Sequence, residues 1–351
     1  MRRGLMRWDA AQLPLDQIEA RIGRLRNALA AAGLDGFIVY TNIVRPSAVH
    51  YLTGFTPYWS EGLLLTPRRG RLIFATALSN RVADWIRSTN PVSEVVSTPR
   101  PGTLLGERLA REGSAKRIGI LEIDAMPSEL FDDLAAAAPH ISFVDGSIPF
   151  ATIRRHIDAA ERRLLARADA LAVAALDRAR TAENTDAGAL GGLIEKDARL
   201  AGAEEVFLGL APDLARDRWL NRVSKPTQLT DRYAVRASVA YKGCWIRRTR
   251  TFAKDGSAAR ANAWFEELIR GIEPGKPIAE QISARLSALP GARISGWMVE
   301  GCIGSYPLSV IASSRTPGTN EAVTGGFGVL TIELLLDRGP WIGAAPFIAG
   351  E

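Results

Sequence analysis

At 351 residues the chain is long enough for two or three domains, and its 47% hydrophobic and 23% charged content is that of an ordinary globular protein. No stretch reaches the ~18–20 uncharged apolar residues of a membrane-spanning helix, and the basic start MRRGLMRWDAAQ leads into no apolar secretory segment. Cys244 and Cys302 are too few for a disulfide framework, so a cytoplasmic protein with reduced thiols is expected. The net charge of +6 and pI near 9.6 do not indicate nucleic acid. The basic residues are nearly all arginine, spread along the chain, with no Lys/Arg run and no interleaved aromatics.

In chain order, Leu15–Ala32 carries a helical stripe of Ile18, Ile22, Leu25 and Leu29, closed by Gly33. Gly36–Tyr40 reads as a buried strand, followed by the segment His50–Phe55. Strands are expected at 62–66, 71–74, 92–96, 117–121 and 141–144. Helices are expected at 80–87, 104–112 and 128–137, with a linker at 146–149. This alternation predicts an α/β domain over residues 1–150.

The second domain, 151–351, opens on a long helical pattern, Ile153–Ala182, with Ile157, Leu164, Leu165, Ala168, Leu171 and Leu176 on one side. Thr185–Ala201 is a second helix, weakened by glycines at 188, 191 and 192. A strand at 206–210, helices at 262–270 and 277–286, and strands at Val299–Tyr306 and Gly328–Leu336 complete an α+β pattern.

The chemistry concentrates in Arg236–Phe252, RASVAYKGCWIRRTRTF. Val235, Ala237 and Val239 alternate, Lys242-Gly243 makes a turn, and Trp245–Phe252 runs back. At period two, Arg248 and Arg250 share one face, and Arg247, Thr249 and Thr251 share the other. Guanidinium groups in an otherwise apolar ladder need anionic partners, because a buried unpaired charge costs several kcal/mol.

The ending G-x-x-x-x-x-T-R-T-F, Gly243–Phe252, resembles the metal-binding hairpin of the pita-bread family: methionine and Xaa-Pro aminopeptidases, prolidases and creatinase. The helix-then-strand start and Tyr51-Leu52-Thr53-Gly54-Phe55 resemble the N-terminal domain of its creatinase and prolidase branch. The resemblance implies a creatinase N-terminal-like α/β domain, then an α+β pita-bread domain, and by family habit a homodimer.

The resemblance also implies two metal ions held by two aspartates, a histidine and two glutamates. The aspartates fall on Arg236 and Arg247. The histidine falls on Gly301, within Glu300-Gly301-Cys302-Ile303-Gly304. The first glutamate is kept as Glu333, in Thr331-Ile332-Glu333, and the last falls on Gly343. The auxiliary histidines fall near Trp219 and Leu308. His50, His140 and His156 are the only histidines, and none lies in the second domain apart from His156 at its opening. No metal and no other cofactor is therefore expected.

Arginine stays charged and its fork suits carboxylate or phosphate. The expected ligand is a small anionic, amino-acid-like molecule, bound by Arg236, Arg247, Trp219, Tyr241, Tyr306 and, from a neighbouring subunit, His50. Glu333 and Glu300 are the catalytic candidates for metal-independent C–N hydrolysis or elimination. The competing reading is a catalytically silent pseudo-peptidase, its arginines plugging the vacated metal volume, that serves as a binding or assembly partner. Cys302 has no histidine partner in the sequence and reads as a structural thiol. The Gly325-Gly326 and Gly328 cluster reads as a turn.

Overall fold

A computed structural model describes residues 8–57, 61–181, 186–316 and 325–349. The basic residues 1–7 and the expected helix limits Ala182 and Thr185 lie outside the described residues. The chain divides into two compact units. One takes residues up to Glu161 together with Cys302–Leu308, and the other takes Arg162–Gly301 with the chain from Ser309 onward. The division falls eleven residues beyond the expected boundary at 150.

The first unit begins with α1 (Leu15–Ala31), whose Ile18, Ile22, Leu25 and Leu29 are all buried. Burial of such side chains contributes roughly 1.5–3 kcal/mol each. β1 (Gly36–Thr41) is central to a mixed six-stranded sheet. β2 (Gly62–Pro67) and β3 (Leu72–Thr76) extend it antiparallel on one side, with β4 (Ser93–Ser97) parallel at the edge. β5 (Arg117–Ile120) and β6 (Ser142–Asp145) lie parallel on the other side. Four helices accompany it: α2 (Ser47–Thr53), α3 (Asn80–Thr89), α4 (Pro101–Glu112) and α5 (Ser128–Ala137). The Tyr51–Phe55 motif is thus the end of α2 and the left-handed Gly54 that stops it.

Two expectations fail where the units divide. Residues 146–149 are not a linker, because α6 (Ser147–Arg154) begins there. The long helix expected from Ile153 is also interrupted, and α7 spans Ala159–Thr181. The physical reason is Asp158, whose carboxylate accepts the backbone N–H of Glu161 at 2.8 Å and caps the new helix. The same carboxylate holds buried Arg21 at 2.6 and 3.0 Å. The spacing Asp158-x-x-Glu161 is an N-terminal signature that the sequence displays.

In the second unit α8 (Ala187–Leu200) forms despite its three glycines. A seven-stranded antiparallel sheet follows: β7 (Glu205–Ala211), β8 (Arg232–Tyr241), β9 (Cys244–Ala253), β10 (Arg293–Gly301), β11 (Ser309–Ser313), β12 (Gly326–Leu336) and β13 (Gly339–Ala349). Their order is β11-β10-β12-β13-β9-β8-β7. The strand expected at Val299–Tyr306 instead ends at Gly301, because Cys302–Leu308 belongs to the first unit. There Glu122 accepts the Ser305 N–H at 3.1 Å, and Arg154 donates to the Cys302 carbonyl at 2.9 Å.

The β8–β9 hairpin turns at Lys242-Gly243, both at positive φ (44° and 75°), as a two-residue turn of this hand requires. Helices α9 (Ser257–Arg270) and α10 (Ile278–Leu286) follow it. Arg248 donates to Asp169 of α7 and Glu266 of α9, and Arg250 to Asp177 of α7, so these arginines face the helices. By alternation Arg247 and Thr249 face the opposite side of the sheet. No helix among the described residues is long and apolar enough to cross a membrane.

Candidate functional site: an arginine-lined cavity

The antiparallel registers put side chains into rows across the helix-free face. One row reads Gly209, Arg236, Thr249, Ala344, Thr331 and Met298 on β7, β8, β9, β13, β12 and β10. A neighbouring row carries Ile342, Glu333 and Gly296. The next one over brings Ser238 and Arg247 into line with Val329 and Glu300.

A cavity of about 280 Å³ opens over these rows. Arg236, Arg247, Trp297, Thr331 and Glu333 line it from the strands, Arg315 from just after β11, and Arg218 and Trp219 from the loop between β7 and β8. Glu300 reaches it through Arg247, with which it is ion-paired across the two intervening strands. Arg247 also donates to Ser238 Oγ at 3.2 Å. Glu333 lies 3.3 Å from the Arg315 guanidinium through both oxygens. That pair is largely exposed on the arginine side, where such contacts are worth about 0–1 kcal/mol.

Arg236 differs from these. Among the described residues its only hydrogen bond runs to the Leu220 carbonyl at 2.9 Å, and no carboxylate is in ion-pair range. Burial, then the positive charge of Arg247, push its pKa below the usual arginine value, and Glu300 pulls it partly back. The group remains charged at any working pH, so the lowered pKa measures how poorly that charge is solvated. Room for it comes from Gly209, opposite in register. A Cβ there would sit 2.8 Å from the Leu220 oxygen and 3.1 Å from the Arg236 guanidinium.

The other expected site residues are distributed as follows. Trp219 stands at the rim, 74% exposed. Tyr241 falls on the helix face of β8, beside Arg167 of α7, and so is not brought to the cavity. Tyr306 and His50 belong to the first unit. Tyr306 lies under the Arg45 guanidinium, 4.4 Å from its ring centre, and His50 is buried with its Nδ1 3.1 Å from Thr56 Oγ1.

Two assignments made through the resemblance need correction. Gly301 brings no side chain to the hairpin arginine; the residue before it, Glu300, makes the ion pair with Arg247. Gly343 faces the helices, where a Cβ would run into Trp341 and Phe265, and Ile342 occupies the cavity side. Arg218 and Arg315 were not anticipated, since both lie in connections outside any recognisable motif.

The donor set does not fit a pair of metal ions. Among the described residues no three His, Cys, Asp or Glu side chains are grouped to hold a metal. The two carboxylates present are each turned to an arginine, and further guanidiniums stand in the remaining space, where a cation would be repelled.

The family model described as Creatinase/Prolidase N-terminal domain matches residues 21–156. No curated protein matches the chain in sequence. Among solved structures, X-Pro aminopeptidase from Thermotoga maritima MSB8 is similar with a TM-score of 0.70 at 14% identity, covering 93% of this chain and 95% of that one. The prolidase from Pyrococcus horikoshii OT3 is similar at 0.68 and 13%, covering 94% of each chain. The N-terminal domain of FACT complex subunit SPT16 from Cicer arietinum is similar at 0.62 and 14%, covering 96% and 94%. The fold is therefore that of prolidases over nearly the whole chain, with the pita-bread domain following the N-terminal one.

Proposed function

We propose that this chain, whose residues 21–156 match the creatinase/prolidase N-terminal domain and whose fold is that of prolidases, is a metal-independent protein that receives a small anionic, amino-acid-like molecule in its arginine-lined cavity. The observation that carries this reading is Arg236: a half-buried guanidinium with no carboxylate in ion-pair range among the described residues, facing a cavity of metabolite size. An entering carboxylate or phosphate offers it the bidentate partner the chain withholds.

Chemistry at this site falls to Glu333. The Arg315 contact that holds it is long and exposed, so the Glu333 carboxylate can turn from it towards a bound substrate and act as a base. Glu300, buried against Arg247, is better suited to keeping that arginine in place. In C–N hydrolysis Glu333 would take a proton from the attacking water, and in elimination from the carbon beside the C–N bond; in either case it would return that proton to the leaving amine.

The test is thermal unfolding at constant ionic strength with glycine, acetate, succinate and inorganic phosphate. At 100 times its Kd a ligand adds about 2.7 kcal/mol of stability. Stabilisation that Arg236→Ala removes is expected, and no stabilisation by any anion sinks the proposal. Turnover of C–N compounds by chelator-treated protein, lost in Glu333→Gln with binding kept, identifies the enzyme.

The second reading is a silent prolidase fold used as an assembly partner. It is favoured by the fact that both carboxylates are held by arginines, and this fold also occurs in a subunit of the FACT complex. Anion binding without turnover would support it.

A further inference from the structure

Within the cavity the charges do not balance. Arg247 is matched by Glu300 and Arg315 by Glu333, which leaves Arg236 and Arg218. Arg236 is on the floor, in β8. Arg218 is on the exposed rim, in the connection before it, and has no acidic partner among the described residues. Two unmatched guanidiniums thus stand at different depths of one cavity of about 280 Å³.

Apolar surface accompanies them. Trp219, next to Arg218, presents most of its ring to solvent at the mouth, and Met298 lines the wall from β10. A large exposed indole beside an unmatched cation is an expensive arrangement for an empty surface and a suitable one for an organic ligand.

Resting on the anion-receptor reading above, we infer that the ligand is a dianion with its two acidic groups at opposite ends of a short organic body, such as a small dicarboxylate. One end pairs with Arg236 on the floor and the other with Arg218 at the rim, while the body lies along Met298 and under Trp219. A single anion leaves one guanidinium unmatched. A dianion concentrated on one centre, such as inorganic phosphate, places both charges at a single depth of the cavity.

Isothermal titration of the whole protein with acetate, inorganic phosphate and succinate at fixed ionic strength tests this. Succinate is expected to bind at least tenfold more tightly than acetate or phosphate. In Arg218→Ala the succinate-to-acetate ratio is expected to fall towards one, and Arg218→Lys restores part of it. Arg218 is exposed, so these variants are expected to fold, and unchanged unfolding midpoints verify it. Equal binding of acetate and succinate by the parent protein overturns the dianion inference while leaving the anion receptor standing. So does an Arg218→Ala variant that keeps the full ratio. Absence of all three binding events overturns both.

Discussion

Arg247 on β9 and Glu300 on β10 are joined by an ion pair although two strands, β13 and β12, separate them in the sheet. Each is the other's acidic or basic partner at the inner end of the cavity, and Glu300 is nearly buried. Removing one member strands a charge that water cannot reach, which typically costs 3–5 kcal/mol. Arg247→Ala is therefore expected to destabilise the protein by about 3 kcal/mol in urea unfolding. The double variant Arg247→Leu, Glu300→Leu is expected to be more stable than Arg247→Ala. Simple additivity of the two single changes would show that they do not interact.

Arg236 gives the opposite sign. Its charge is held at the expense of solvation and beside Arg247, so it works against folding and for binding. Arg236→Met is expected to leave stability unchanged or raised by up to about 1 kcal/mol, even with the Leu220 bond gone. Anion-induced stabilisation is expected to vanish in the same variant. Clear destabilisation in denaturant would mean that the arginine is there to brace the loop.

Gly209 on the floor packs against the rim loop at Leu220. Gly209→Ala places a methyl group 2.8 Å from the Leu220 carbonyl oxygen, a backbone atom with little freedom to yield. The loop carrying Arg218 and Trp219 must then move outward, at a cost of about 1–3 kcal/mol. Weakened anion binding should accompany the lower stability, read by titration and melting on the same sample. Anion binding equal to that of the parent would separate the loop from the cavity's function.

Asp158 supplies a pH signature in the first unit. Burial alone would raise its pKa, but the hydrogen bonds and charge of Arg21, the Glu161 N–H and Arg24 outweigh it and hold the carboxyl below the usual range. Its folded pKa lies under the unfolded value of about 3.9. The stabilisation is therefore fully present above that value and is lost as pH falls through the folded pKa. At neutral pH Asp158→Asn is expected to be less stable by about 3 kcal/mol, since buried Arg21 loses its partner. The gap between the two proteins should narrow below pH 4. A gap independent of pH down to 2 would contradict the assigned ion pair.

The sequence disclosed the hairpin, its turn and the division of its arginines between two faces, because period-two alternation is a local property. It also disclosed Glu333, which sits in a strand of unmistakable apolar pattern. It did not disclose that Glu300 meets Arg247, since that ion pair spans two intervening strands whose order no local pattern gives. Arg218 and Arg315 stayed hidden for a different reason: each enters the cavity through a connection whose path is set by distant strands. Tyr241 was misplaced by one step of the same alternation, which sends it to α7. The interruption at Asp158 was readable from its spacing to Glu161 and was masked by the strong helical stripe on either side.

The two faces of β9 have a consequence for how the hairpin is made. A slip of one position would carry Arg248 and Arg250 away from Asp169, Glu266 and Asp177, and drive Arg247 into the helix layer, where Glu300 cannot follow. Greasy residues alone would tolerate that error, because Trp245 and Ile246 on successive positions are both apolar. Four fixed carboxylates do not. The arginines thus act as an alignment key, rejecting the misthreaded strand before the cavity exists to be filled.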